Sequence, residues 1–170
     1  MGVEKAVSDS GPIIHLSQID RIQALQITKR LLIPSEVKSE LERGDPPIRV
    51  GDFDWIEVID LKGRGNDMAA SLAREYGLGL GEAEAITLSI EEDISLIFTD
   101  DLDARTAAKR YDLEPHGSIG ILLRAYREGL LPEEETIESI QKLHSTSSLY
   151  LTLDLVKRGI KAVRGYSKSH

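Results

Sequence analysis

The chain has 170 residues, a length that suits one domain and is enough to bury a hydrophobic core without disulfide or metal staples. It contains no cysteine, which excludes a disulfide framework, a zinc site with cysteine ligands and a cysteine nucleophile. The net charge of −8 argues against a general nucleic-acid coat protein.

The first sixty residues predict three short strands and two helices. Strands are expected over residues 6–8, 31–33 and 55–59. The last of these alternates apolar and charged residues, which is typical of an edge strand. The first helix begins at Pro12, because Ser or Asp ahead of a proline is a helix-start signal. The second helix opens at Pro34 and ends at Gly44.

The remaining segments are mainly helical. Helices are expected over residues 67–76, 82–91, 101–110, 118–128, 133–143 and 152–164. The run at 96–99 is the most buried-looking strand, and a glycine-rich turn at 77–81 precedes the second of these helices. Strands alternating with helices predict an α/β fold, a three-layer α/β/α sandwich around a mostly parallel sheet. No segment approaches the ~20 apolar residues of a membrane span and no signal-peptide pattern is present, so we expect a cytoplasmic protein.

The C-terminal end differs in charge from the rest of the chain. Residues 145–170 carry five Lys and Arg against Asp154 alone, a net charge of +4, which leaves −12 on the other residues. We therefore expect a domain over residues 1–145 and a basic helical extension of that domain over residues 146–170. Three of the cations recur on one helix face: Lys157, Lys161 and Arg164. They would guide RNA, or else form a solvated face or dock on the acidic body of this or a partner subunit.

Acidic side chains follow two of the predicted strands. Asp9 follows the first strand, and three aspartates follow the strand at 96–99: Asp100, Asp101 and Asp103. Because ligands bind outside the carboxyl ends of parallel strands, these side chains are candidates for one site. Three helix glutamates are further candidates: Glu40, Glu82 and Glu84. Each acid also has a structural explanation, as a helix cap, a partner of the helix dipole or a solvated surface group.

The expected meeting of several carboxylates predicts a metal site. Carboxylates that lie close together repel one another unless a cation lies between them. Oxygen ligands without cysteine or paired histidine suit Mg²⁺ or Mn²⁺, and such a site suits phosphodiester cleavage by metal-activated water. Ser10 and Thr99 are candidates for orienting water or a ligand carboxylate, or for capping helices. His15 is expected to be a packing residue of the first helix.

Four segments, in order along the chain, resemble the sequence blocks of PIN domains. The matching segments are residues 7–16, 33–41, 81–86 and 98–103. The third is similar to the form found in a prokaryotic subgroup of nucleic-acid-binding proteins, and the fourth has the pattern Thr-x-Asp-x-Asp. The acidic positions of these blocks are matched here by Asp9, Glu40, Glu84, Asp101 and Asp103.

The resemblance implies a metal-dependent endoribonuclease, often the toxin of a toxin–antitoxin pair. Two acids would bind Mg²⁺ or Mn²⁺ directly: Asp9 and Asp101. Three others would hold metal-bound water or a second ion: Glu40, Glu84 and Asp103. Supporting roles would belong to Ser10, Glu82, Thr99 and Asp100. RNA, an antitoxin protein and a second copy of the chain are the partners that the resemblance implies.

Two other functions stay open at this point. PIN-like proteins can lack catalytic activity, so one alternative is a silent module that binds RNA or protein. A Mg²⁺-dependent phosphatase or phosphotransfer domain on a similar sheet is the other. A cation close behind the aspartates would favour that class, and Arg105 and Lys109 have the spacing, although they suit a helix surface better.

Overall fold

The central sheet has five strands, all parallel, in the order β3-β2-β1-β4-β5. The computed structural model describes residues 3–170, and its strands are β1 (Val3–Ser8), β2 (Thr28–Ile33), β3 (Ile56–Val58), β4 (Leu96–Phe98) and β5 (Glu114–His116). The chain builds one half of the sheet outward from β1 before it returns to add β4. The junction of β1 and β4 is therefore the switch point at which parallel α/β sheets form ligand sites.

Eight α-helices are present among the described residues and cover both faces of the sheet. They are α1 (Ser10–Gln18), α2 (Ser35–Glu42), α3 (Gly65–Tyr76), α4 (Leu80–Glu91), α5 (Leu102–Arg110), α6 (Ser118–Arg127), α7 (Glu133–Ser145) and α8 (Leu153–Ser169). Two short 3-10 helices cover Ile22–Ile27 and Val50–Asp52. The predicted three-layer α/β/α fold is confirmed, and the described sheet is parallel throughout.

Alternate residues of the central strands enter two separate hydrophobic cores. Ala6 and Phe98 belong to the core on the side of α1 and α6, whereas Val7 and Ile97 belong to the core on the side of α4 and α5. Successive side chains of a strand point to opposite faces, so a sheet covered by helices on both sides is apolar at every position. This double burial fixes where β1 and β4 end, and with it the place of the acids that follow them.

The structure contains one strand that the sequence does not predict, and several elements begin earlier than expected. The pattern does not predict β5, because it consists of Glu114, Pro115 and His116, and the proline cannot donate a ladder hydrogen bond. Helix α1 begins directly after β1, at Ser10, two residues earlier than expected. Helix α4 begins inside the expected glycine turn, so only the first part of that turn links two helices.

The C-terminal helix α8 packs against α6 and α7. Its buried residues are Val156, Gly159 and Val163. A Cβ atom at Gly159 would lie 3.2 Å from Ile119 and 3.4 Å from Ile140, so glycine at this position allows the helices to approach closely. Across residues 3–170, none of the helices has both the length and the apolar character needed to cross a membrane.

Candidate active site

The ends of β1 and β4 bring Asp9 close to the aspartates that follow β4. Ser8 pairs with Phe98 in the sheet, so Asp9 and Thr99 both follow directly on paired residues. The Asp9 N–H donates to the Phe98 carbonyl at 2.9 Å, which extends the ladder by one bond. The expectation that Asp9 and the aspartates after β4 leave neighbouring strands is therefore confirmed.

Thr99 links the Asp9 and Asp101 segments. Its hydroxyl donates to Asp9 Oδ2 and accepts from the Asp101 N–H, both at 3.3 Å, and the residue is buried. Asp101 is the N-cap of α5, and its Oδ1 accepts the Ala104 N–H at 2.8 Å. One oxygen of Asp101 is thus used as a cap while the second makes no hydrogen bond with another described residue.

A cleft opens at this strand edge, with a volume of about 290 Å³, and we call it the acid cleft. Its lining consists of Asp9, Ser10, Gly11, His15, Glu82, Asp100, Asp101 and residues 148–150. Glu82 enters it from the first turn of α4, where its Oε2 accepts the Gly79 N–H at 3.0 Å. Glu82 therefore stabilises the start of α4 and also brings a third carboxylate beside Asp9 and Asp101.

Glu40 stands behind the acid cleft, on α2. Its Oε1 atom is buried and has no hydrogen-bond partner, and within residues 3–170 it is the sole buried side-chain atom in that condition. A Cβ atom at Gly81 would overlap this oxygen. Gly81, expected to be a turn residue, lies inside α4 and permits the close approach of α2.

Burial and mutual repulsion act together on these carboxylates. Burial is the main reason that the pKa of Asp9 is raised to about 7, and the carboxylates of Glu82 and Glu40 add to the rise. Burial likewise raises the pKa of Glu82, and the Asp101 and Asp103 carboxylates raise it further. Burial also raises the pKa of Glu40, with Glu82 among the contributing acids. A cation placed among these groups would relieve the repulsion.

Glu84, a predicted metal ligand, points elsewhere. Residues two apart on an α-helix differ in direction by about 200°, so Glu82 and Glu84 cannot both face Asp9. The Glu84 side chain is buried against the start of α2, where its Oε1 accepts the Glu36 N–H at 3.3 Å. Burial raises the pKa of Glu84, and the carboxylates of Glu36 and Asp60 raise it further. The Glu84 carboxylate in turn contributes to the raised pKa of Glu40.

Asp100 is held by a hydrogen-bond network that joins three elements. Its Oδ2 accepts His15 Nδ1 at 2.7 Å and the Ser118 hydroxyl at 2.6 Å, and its Oδ1 accepts the Ser118 N–H at 2.7 Å. The expectation for His15 as a packing residue is thus incomplete, because the ring orients Asp100 and lines the acid cleft. Sequence reasoning missed Ser118, whose only signal is its position at the start of a helix.

Asp103, Arg105 and Lys109 lie outside the acid cleft. Asp103 is exposed in the first turn of α5. Its carboxylate affects the site by raising the pKa of Glu82. Arg105 lines a different cavity, and Lys109 is exposed in the last turn of α5. Arg105 shares its cavity with Asp100, whereas Lys109 is not among the residues that line either cavity.

The three candidate RNA-binding residues form what we call the basic stripe: Lys157, Lys161 and Arg164. With Lys168 they line a groove of about 560 Å³ on α8. None of the three forms an ion pair with another residue in the described part of the chain. The side of α8 nearer the acid cleft carries Leu155 and Arg158 instead, so the basic stripe faces away from the acids.

The carboxylates match a hard divalent cation in donor chemistry. All of them supply oxygen ligands, their charges repel, and the buried Glu40 Oε1 lacks a partner. No three His, Asp or Glu side chains within residues 3–170 stand close enough to form a complete ligand set. By donor chemistry, Asp9, Glu82 and Asp101 are the residues of this cleft that could hold a divalent cation.

Comparison with known proteins identifies a family for the chain. No curated protein and no solved structure matches the chain. A family model described as a PIN domain matches residues 5–164, which include all four resembling segments and most of α8. PIN domains are generally nucleases, and the parallel sheet with acids at its β1–β4 junction agrees with that class. The chain therefore belongs to the PIN-domain family and has a nuclease-type fold.

Proposed function

We propose that this protein is a metal-dependent endoribonuclease that cleaves RNA phosphodiester bonds in the acid cleft. The observation that carries the proposal is the meeting of Asp9, Glu82 and Asp101 at the ends of β1 and β4, with the unpartnered Glu40 oxygen behind them. Such a group of partly buried, mutually repelling acids destabilises the fold. Titratable groups perturbed in this way and lining an accessible cleft are typical of a functional site.

The acids divide into two roles in this proposal. Asp9 and Asp101 would hold the cation, and Glu82 and Glu40 would bind its water ligands. A bound Mg²⁺ or Mn²⁺ supplies a nucleophilic water and offsets charge on the scissile phosphate. Thr99 keeps Asp9 and Asp101 at a fixed separation through its two hydrogen bonds. The assignment replaces the predicted Glu84 by Glu82, because Glu82 lines the cleft.

The chain offers a matched pair for testing this function. Short single-stranded RNA is incubated with Mn²⁺, Mg²⁺ or EDTA and with wild type, Glu82→Gln or Glu84→Gln protein. We expect cleavage by wild type with either metal, a loss of at least a hundredfold in Glu82→Gln, and less than a fivefold change in Glu84→Gln. The two variants should differ because glutamine at position 84 can still accept the Glu36 N–H. Glutamine at position 82, in contrast, removes one of the negative charges of the acid cleft.

The same experiment separates the second candidate, a silent PIN module that binds RNA without cutting it. The lack of a complete ligand set among residues 3–170 favours this candidate. RNA that is bound but never cut, together with no Mn²⁺ binding by calorimetry, would support the silent module. Cleavage that persists in EDTA, or equal losses in both variants, would contradict the proposed metal site.

We also propose two protein partners. One is a second copy of the chain, since the basic stripe and the acidic remainder are complementary charges on one molecule. The other is an antitoxin protein, which the family resemblance implies. Co-expression with the product of the neighbouring gene, followed by an RNA cleavage assay, tests the second: a true antitoxin copurifies and suppresses cleavage.

A further inference from the structure

A second cavity lies beside the acid cleft and has a volume of about 440 Å³. It is formed by the first turns of α5 and α6, the segment before α8 and the first turns of α8. Asp100, Leu149 and Tyr150 line both cavities, so the two are continuous at the surface. We call this second cavity the Tyr150 pocket. Nothing in the proposed reaction uses it.

The Tyr150 pocket is apolar inside and has exposed apolar side chains at its rim. Its floor includes Ile119, Leu123 and Leu151. Tyr150 is 87% exposed and Leu102 is 74% exposed, which makes them the two most exposed large apolar residues in the described part of the chain. Clustered apolar exposure of this kind marks a binding surface.

Two arginines give the Tyr150 pocket a charge opposite to that of the acid cleft. Arg105 forms no ion pair with another residue among 3–170, and it lines the pocket from α5. Arg158 lines it from α8 and pairs with Asp154 at 3.0 Å. Both members of that pair are largely exposed, so the bond is weak and the guanidinium remains able to bind a phosphate.

These features together fit one class of ligand. A nucleobase has apolar faces that stack on tyrosine, and the phosphates on either side of it pair with arginine. The volume lies within the roughly 300–1,000 Å³ of small-molecule pockets, whereas a partner helix needs an elongated groove. The continuity with the acid cleft also requires a ligand that extends from an apolar pocket to a metal-bound phosphate, as a single-stranded polynucleotide does.

We propose that the Tyr150 pocket binds an unpaired base of the RNA substrate, with Tyr150 stacked on the base and Arg105 and Arg158 on the flanking phosphates. The proposal rests on the proposed function for the identity of the substrate. It assigns substrate selection to a site separate from the acids. The protein would accordingly prefer single-stranded RNA, because paired bases cannot enter the pocket.

The test measures RNA affinity in EDTA, where cleavage does not occur. The probe is a short fluorescein-labelled single-stranded RNA, and its abasic counterpart is the ligand control. Tyr150→Ala is expected to weaken binding of the normal RNA about 5- to 100-fold, the range for loss of one base–aromatic stack. Tyr150→Trp should retain binding, and neither variant should change affinity for the abasic strand.

Control variants keep the result specific. Leu130→Ala removes another exposed apolar side chain, outside the Tyr150 pocket, and should leave RNA affinity unchanged. Arg105→Gln should weaken binding of both RNA strands and lower the salt dependence by about one unit. Arg74→Gln, an exposed arginine on α3, should do neither.

The outcomes separate this inference from the proposed function. Suppose that wild type cleaves RNA with metal but Tyr150→Ala binds RNA as tightly as wild type. Base binding by the Tyr150 pocket is then refuted, while the proposed nuclease function is supported. If the expected affinity changes occur but wild type never cleaves RNA, base binding by the Tyr150 pocket is supported and the protein is a silent PIN module. If Tyr150→Ala leaves RNA affinity intact but changes the oligomer mass in light scattering, the surface binds protein and the inference is overturned.

Discussion

Asp100 and Asp101 are adjacent in the chain, but their carboxylates have opposite surroundings. Asp100 accepts three hydrogen bonds from His15 and Ser118, and its side chain is only 8% exposed. Asp101 accepts one bond, from Ala104, and otherwise faces a cleft that also contains Asp9 and Glu82. The first carboxylate is satisfied by the protein itself, whereas the second belongs to a group of acids that repel one another in an open cleft. The comparison separates an acid that stabilises the fold from acids that the proposed function would use.

The largest effect on stability is expected from replacing Asp100, whose carboxylate is fully hydrogen-bonded. Asp100→Ala leaves His15 and Ser118 without their acceptor and removes the hydrogen bonds that join α1 and α6 to the end of β4. The free energy of unfolding should fall by about 3 kcal/mol. For a chain of this size that is a fall in Tm of roughly 6–12 °C. Asp101→Ala, the adjacent control, loses only a helix cap and should cost about 1 kcal/mol. Thermal unfolding in EDTA measures both.

Mn²⁺ calorimetry on the same two variants should give the reverse order. Asp101→Ala is expected to weaken Mn²⁺ binding at least tenfold, while folded Asp100→Ala should bind the ion as wild type does. Equal thermal losses in the two variants would remove the distinction between the two acids.

A smaller effect is expected from pH, through Asp9. Burial raises the pKa of Asp9 from 3.8 to about 7, so its contribution to stability is fully present below pH 3.8 and is lost as pH rises through 7. In EDTA the free energy of unfolding should therefore fall by roughly 2.5 kcal/mol between pH 5 and pH 8. Asp9→Asn should flatten this slope and be more stable than wild type at pH 8. Urea unfolding at both pH values measures it, and a wild-type slope of the opposite sign would show that Asp9 is not protonated in the fold.

The smallest effect on RNA is expected from the basic stripe. Changing Lys157, Lys161 and Arg164 together to Gln should alter RNA affinity in EDTA by less than about threefold, because the stripe faces away from the acid cleft. In light scattering, wild type should give twice the chain mass of 18.8 kDa and the triple variant should shift toward one chain mass. A salt dependence lowered by about three units, with no change in mass, would instead place the RNA path along the basic stripe.

Much of the fold was predictable because it follows from local patterns. The buried strands β1, β2 and β4 are short apolar runs, and the alternation in β3 identifies it as an edge strand. β5 escaped prediction since its place in the sheet depends on pairing with β4 rather than on its own residues. The positions of Asp9 and Asp101 at neighbouring strand ends were predictable because strand ends can be read from the same patterns.

Other features of the site depend on contacts between distant segments. Whether Glu82 or Glu84 faces Asp9 depends on the rotation of α4 about its axis, which the packing of the whole helix sets. The link between His15 and Asp100 joins residues 85 positions apart, and no local signal marks it. The Tyr150 pocket likewise forms only when α5, α6 and α8 come together.

Gly81 has a consequence for comparing members of this family. Alanine is the stronger helix former, yet a methyl group at this position would force the Glu40 carboxylate to move. Selection for helix stability and selection for the acid therefore oppose each other at one position. In lineages that lose the carboxylate at 40, nothing disfavours alanine at 81, so the two positions should change together. The pair offers a sequence marker for whether a member of the family keeps the carboxylate at position 40.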